Sequence, residues 1–141
     1  MKKYILLLPL MLLCLETTIQ EVHRLEIFVE GFDVIQGNLY VRLHANETQF
    51  NSDQGPEEFS KIVSVASKTV TVRFDSLPNS YYAVKLFHDA NQNGVLDKNV
   101  LGIPKEKYGF SNNAMGAFGP PAYAEAKFEV RATTTHRIRL R

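Results

Sequence analysis

The run Val70-Thr71-Val72-Arg73-Phe74-Asp75, the segment Leu77-Pro78-Asn79-Ser80 and the run Tyr82-Ala83-Val84-Lys85-Leu86-Phe87 decide how this chain folds. Apolar and polar residues alternate with period two on either side of a Pro-Asn-Ser turn signal. That period places every second side chain on one face, as in a half-buried strand. Working outward, Leu25, Ile27 and Val29 alternate with Glu26, Phe28 and Glu30 until Gly31-Phe32-Asp33 breaks the run. Leu39, Val41 and Leu43 alternate with Tyr40, Arg42 and His44. Lys127 to Val130 and Arg137 to Leu140 alternate again, joined by Ala132-Thr133-Thr134-Thr135. Glu57 to Ser67 reads as a short helical turn and then a strand over 62–66. No stretch beyond residue 21 shows a helical apolar period. About seven short strands separated by turn signals predict an all-β fold, an antiparallel sandwich with one long loop. A small closed barrel is the competing architecture.

The chain has 141 residues, of which 45% are hydrophobic and 22% charged, the balance of a single soluble domain. Its net charge of +1 lacks the basic excess of a nucleic-acid binder, so no nucleic-acid partner is expected. One cysteine excludes an internal disulfide framework.

The first twenty residues read as an export signal. Met1-Lys2-Lys3 supplies a positive start, and the apolar run from Ile5 to Leu15 is too short to span a membrane. Residues 1–20 are therefore assigned to a signal peptide and 21–141 to one domain without a transmembrane helix. The expected location is periplasmic, cell-surface or secreted, with an unidentified cell-envelope or extracellular ligand as partner. Cys14 raises lipidation, but Leu12-Leu13 stands where a lipobox has a small residue. The chain has 16 basic and 15 acidic residues; without Lys2, Lys3 and Glu16, 14 of each remain.

The chemistry is concentrated between residues 88 and 121, which hold five of the eight glycines. In Asp89-Ala90-Asn91-Gln92-Asn93-Gly94-Val95-Leu96-Asp97 the residues Asp, Asn, Asn, Gly and Asp fall at positions 1, 3, 5, 6 and 9. That is the oxygen spacing of an EF-hand-type calcium loop. Calcium is a hard ion that takes carboxylate and amide oxygens, Gly94 allows the sharp turn, and the Val95 carbonyl would point inward. The twelfth position is Val100 rather than Glu, and a strand precedes the loop. A later oxygen, from Asn99 or Glu106, would have to close the shell. The expected metal set is Asp89, Asn91, Asn93, Val95, Asp97 and Glu106, binding calcium at about 0.1–1 mM as in extracellular modules. The competing reading is a metal-free Asx turn, since Asp and Asn bond their own backbone.

A second candidate site follows in Tyr108-Gly109-Phe110-Ser111-Asn112-Asn113. Tyr108, Phe110, Ser111, Asn112 and Asn113 would form a binding lip, with Phe118 beside it. In the alternative, Phe110 and Phe118 plug the end of the sandwich. No catalytic residue is assigned. A cell-envelope hydrolase using Asp89, Asp97 or Glu106 near His88, and a carbohydrate or adhesion module using the aromatic loop, remain alternatives to a non-enzymatic binding or structural module.

His88-Asp89-x-Asn91-x-Asn93-Gly94-x-Leu96-Asp97, Gly102-Ile103-Pro104-x-Glu106, Tyr108-Gly109-Phe110-Ser111-Asn112, Phe118-Gly119-Pro120-Pro121 and Glu125-Ala126-Lys127-Phe128 together resemble the bacterial domain-of-unknown-function family 2141. The resemblance covers about residues 23 to 141. It implies an exported protein with an Ig-like or transthyretin-like β-sandwich and no established activity. The 89–97 loop also resembles calcium loops in B-type repeats of bacterial adhesins, where a strand likewise precedes the loop. The chain departs from the family's pattern at Asn79-Ser80, where Pro-Gly is frequent.

Overall fold

The computed structural model describes residues 20–141. The expected signal segment, apart from Gln20, and Cys14 lie outside the described residues. Among these residues eight strands form two sheets. They are β1 (Val22–Glu30), β2 (Asn38–His44), β3 (Ser60–Ser64), β4 (Thr69–Pro78), β5 (Ser80–Asp89), β6 (Tyr108–Phe110), β7 (Phe128–Val130) and β8 (Thr134–Arg139). The helices α1 (Glu47–Ser52) and α2 (Tyr123–Ala126) are short. This is the expected all-β sandwich, with one strand more than the seven anticipated.

One sheet has the order β4-β1-β8 and the other β3-β2-β5-β6, with β7 also pairing with β5. All pairings are antiparallel except β1 with β8, where Leu25 lies opposite Thr134 and Glu30 opposite Arg139. The turn at Asn79 does not join paired strands. β4 pairs with β1 in one sheet, and β5 pairs with β2 in the other. The chain changes sheets there, and the alternating faces of both runs meet across the core. Leu25, Ile27, Val29, Val70, Val72 and Phe74 face Leu39, Val41, Leu43, Tyr82, Val84 and Leu86, all buried. Period-two patterning works here because each sheet buries one face.

The outer face of the larger sheet carries a second, smaller cluster built from Phe50, Ala83, Phe110 and Ala126. The helices supply it. Asn46 caps α1 by accepting the Gln49 N–H at 2.9 Å, and Asp53 ends it in the left-handed region at φ 55°. Phe50 then drops onto the sheet against Phe110 and Tyr123. No helical segment was expected at either place. In the segment read as a turn and a strand, a 3-10 turn at Glu57–Phe59 leads into β3, two residues earlier than the strand expected at 62–66.

Candidate functional site

β5 runs through the middle of the larger sheet and delivers Asp89 to one end of the sandwich, where Asn38 is its partner in β2. Both His88 and Asp89 are buried, at 2% and 0% exposure. Strand geometry sends their side chains apart. The His88 ring contacts the Gln36 carbonyl through Nε2 at 2.7 Å and meets Phe32 edge-on. Gly37 lies against the backbone of Asp89 and Ala90 with φ +73°, leaving no room for a Cβ. The root of the loop is therefore fixed before the loop begins.

Asp89 turns its carboxylate along the loop. Oδ1 accepts the Asn93 N–H at 3.1 Å and Oδ2 the Gly94 N–H at 2.8 Å. Gly94 supplies the required φ of +81°. Asn91 Oδ1 also accepts the Asn93 N–H, at 3.2 Å, and Asn93 Oδ1 accepts the Val95 N–H at 3.0 Å. The Asp97 carboxylate receives the Asn91 amide on Oδ2 at 2.7 Å and the Asn93 amide on Oδ1 at 3.0 Å. The side chains of Asp89, Asn91, Asn93 and Asp97 thus form one connected network around the turn. The Val95 side chain is exposed, and Leu96 is half-buried.

Glu106 closes the loop from outside it. Its Oε1 accepts the Ala90 N–H at 3.2 Å and its Oε2 the Asp97 N–H at 3.1 Å, so one carboxylate holds both shoulders of the turn. Asn99, the other candidate for closing the shell, points elsewhere. Its Oδ1 accepts the Leu101 and Ile103 N–H groups at 2.9 and 3.0 Å, organising the next turn.

Each carboxylate oxygen of Asp89 and Glu106 accepts one backbone N–H and retains further lone-pair capacity. Among the described residues, none of Asp89, Asp97 and Glu106 forms a salt bridge with a Lys, Arg or His. No three His, Cys, Asp or Glu side chains there gather closely enough to hold a metal unaided. A cation at this loop would therefore need the Asn amide oxygens as well. The donor set, two or three carboxylates with two amides, is chemically that of a hard oxygen-seeking ion.

The residues expected to form a binding lip have internal partners. Residues 108–110 are a strand, pairing Tyr108 with Phe87 and Phe110 with Lys85. Phe110 is buried, and it meets Tyr108 edge-on at 76°. Ser111 is wholly buried. Its hydroxyl accepts the Val84 N–H at 2.8 Å and donates to the Ala126 carbonyl. It bridges the gap along β5 between β6 and β7. Asn112 and Asn113 take φ of 58° and 51°. The Asn112 amide donates to the Glu125 and Lys127 carbonyls at 2.9 Å each, and Asn113 Oδ1 accepts the Arg139 N–H at 2.8 Å. Phe118, expected with Phe110 as a plug, is instead fully exposed. It lies in an irregular turn before Pro120-Pro121, with no strand or helix to carry it inward.

Residues 27–138, which span the loop and these turns, match the model of a family described as uncharacterized protein conserved in bacteria (DUF2141). The chain belongs to this family. No curated protein and no solved structure matches the chain. The loop, Glu106 and the stitching residues Ser111 to Asn113 are all inside the matched family region, as the resemblance anticipated.

A second polar cluster was not anticipated. His44, which the alternation places among the polar residues of its run, is buried beneath Phe50, and neither ring nitrogen has a hydrogen-bond partner. The Asp53 carboxylate is 3.4 Å from Nε2, too poorly aligned for a hydrogen bond, and Lys85 is 3.8 Å from the same carboxylate. The nearby His44 ring, and secondarily Lys85, hold the Asp53 carboxyl below its ordinary range, against the opposing effect of burial. In the sequence His44 alternates like a solvent-facing strand residue; only α1 makes the difference.

Proposed function

We propose that this DUF2141 protein is an exported, non-enzymatic binding or structural module whose 89–97 loop takes a calcium ion. Asp89, Asn91, Asn93, the Val95 carbonyl and Asp97 supply the oxygens, with Glu106 on the shell or bracing it. The observation carrying this reading is the wholly buried Asp89 carboxylate, without a cationic side chain, in a network with a second carboxylate and two Asn amides. A buried carboxylate is costly unless it is hydrogen-bonded and its charge balanced. Two backbone N–H groups meet the first need, and a divalent cation meets the second. Rotating the Asn91 and Asn93 amides would exchange their N–H₂ groups at Asp97 for oxygens directed at an ion.

The ion would fix a loop already rooted at Gly37 and clasped by Glu106, substituting for the disulfides on which small exported domains rely. The segment read as an export signal supports the compartment, where calcium reaches millimolar levels. Thermal unfolding tests the reading. At calcium tenfold above Kd the stabilisation is about 1.4 kcal/mol, raising the midpoint by about 4–8 °C relative to EDTA for a domain of this size. An unchanged midpoint removes the ion from the proposal.

A further inference from the structure

Beyond the loop, the chain makes a small hairpin. Lys105 N–H donates to the Asp97 carbonyl at 2.8 Å, and Lys98 bridges to Pro104. At its tip Val100, Leu101 and Ile103 are 102%, 79% and 56% exposed. Isolated exposed apolar residues are ordinary, but three within four positions form a patch. Val34 and Ile35, each 43% exposed, belong to the neighbouring β1–β2 loop, which is tied to this end by the Gln36 amide on the Ala90 carbonyl. The fold thus concentrates exposed aliphatic side chains at one end of the sandwich.

Most backbone N–H groups of the tip, though not that of Val100, are satisfied from within. The Asn99, Leu101, Gly102 and Ile103 N–H groups all donate inside residues 99–103, and Pro104 has none to donate. Such a tip takes few unpaired donors out of water, which lowers the cost of entering the interfacial layer. Lys98 and Lys105 flank it, both exposed, and residues 98–105 contain no acid. The carboxylates nearest in sequence, Asp97 and Glu106, are turned into the calcium-type loop, and Asp33 of the β1–β2 loop pairs with Lys107.

We infer that the 98–105 hairpin docks this protein on an anionic lipid bilayer, with Val100, Leu101 and Ile103 in the interfacial layer and Lys98 and Lys105 against the headgroups. Aliphatic side chains bordered by lysine are the chemistry of interfacial anchoring. The inference does not need calcium in the loop.

Flotation of the full chain with phosphatidylethanolamine–phosphatidylglycerol vesicles tests it, with EDTA present so that the outcome is separate from the calcium reading. Any contribution of residues 1–19 is common to all the variants. Wild-type protein is expected to float with these vesicles, less so at high salt. Val100→Ser with Leu101→Ser should lower partitioning at least tenfold without changing the unfolding midpoint, since both side chains are exposed. Lys98→Gln with Lys105→Gln should lower it by about 25-fold, at about fivefold per lysine. Absence of wild-type flotation, or equal flotation of the variants, overturns the inference. So does a wild-type dimer that the serine variant converts to monomer, because the patch is then a self-docking surface.

Discussion

His136 stacks on Phe128 at 4.3 Å, and its Nε2 accepts the Asn112 N–H at 2.8 Å. Only the neutral ring can accept there, and burial pushes the group below its ordinary value of 6.5. In the unfolded chain the ring takes up a proton near that value, while the folded chain resists. Stability from His136 is therefore complete above about pH 6.5 and is lost as the pH falls through that value toward the lower folded pKa. Urea midpoints should decline between about pH 7 and pH 5, and His136→Gln should flatten that decline. An identical slope in the variant would show that other groups produce it. Ser111 makes the same kind of case with a neutral group. Ser111→Ala leaves the Val84 N–H and the Ala126 carbonyl buried without their partner, which should cost about 2–6 kcal/mol in urea unfolding, at about 1–3 for each orphaned group. A loss under 1 kcal/mol would mean that water or backbone movement replaces the hydroxyl.

Among the elements, α1 shows how a short segment changes the fate of a strand face. Glu47-Thr48-Gln49-Phe50-Asn51-Ser52 offers one aromatic residue and no helical period, so the sequence gives little sign of it. Yet Phe50 is 1% exposed, packs on His44, and lies under the Lys85 ammonium at 4.5 Å. Phe50→Ala should cost about 3–5 kcal/mol, the range for removing a buried phenylalanine. It should also open His44 to solvent, visible as shifted ring-proton resonances by NMR. A fully exposed Phe50 environment with little stability loss would contradict this packing. β6 escaped sequence reading for a similar reason, because Tyr108-Gly109-Phe110 is too short to display alternation. The long strands were legible because each has one face in the common core.

At the scale of the whole molecule, the sandwich was legible but its connections were not. Alternation reports which side chains point inward, not which strand lies alongside. Thus the runs on either side of Asn79 were visible, while their assignment to different sheets and the parallel pairing of β1 with β8 were not. The loop was legible in a different way. Its Asp-Asn-Asn-Gly-Asp spacing singled out residues that do form one network, and Glu106 was found through its neighbourhood in sequence. The proposed lip was less legible, because glycine, asparagine and aromatic residues serve equally in a ligand surface and in a stitched turn. Here Ser111, Asn112 and Asn113 have their polar groups bonded to the protein itself.

The two-sheet frame brings Asp89 to its rim, and the question it leaves is whether that carboxylate holds an ion. Calorimetric titration of calcium into the purified protein at neutral pH answers it. One saturable site per chain is expected, with Kd about 0.1–1 mM, absent from Asp89→Asn combined with Asp97→Asn. No saturable binding by the wild-type protein, or equal binding by the double variant, would contradict a calcium loop at residues 89–97.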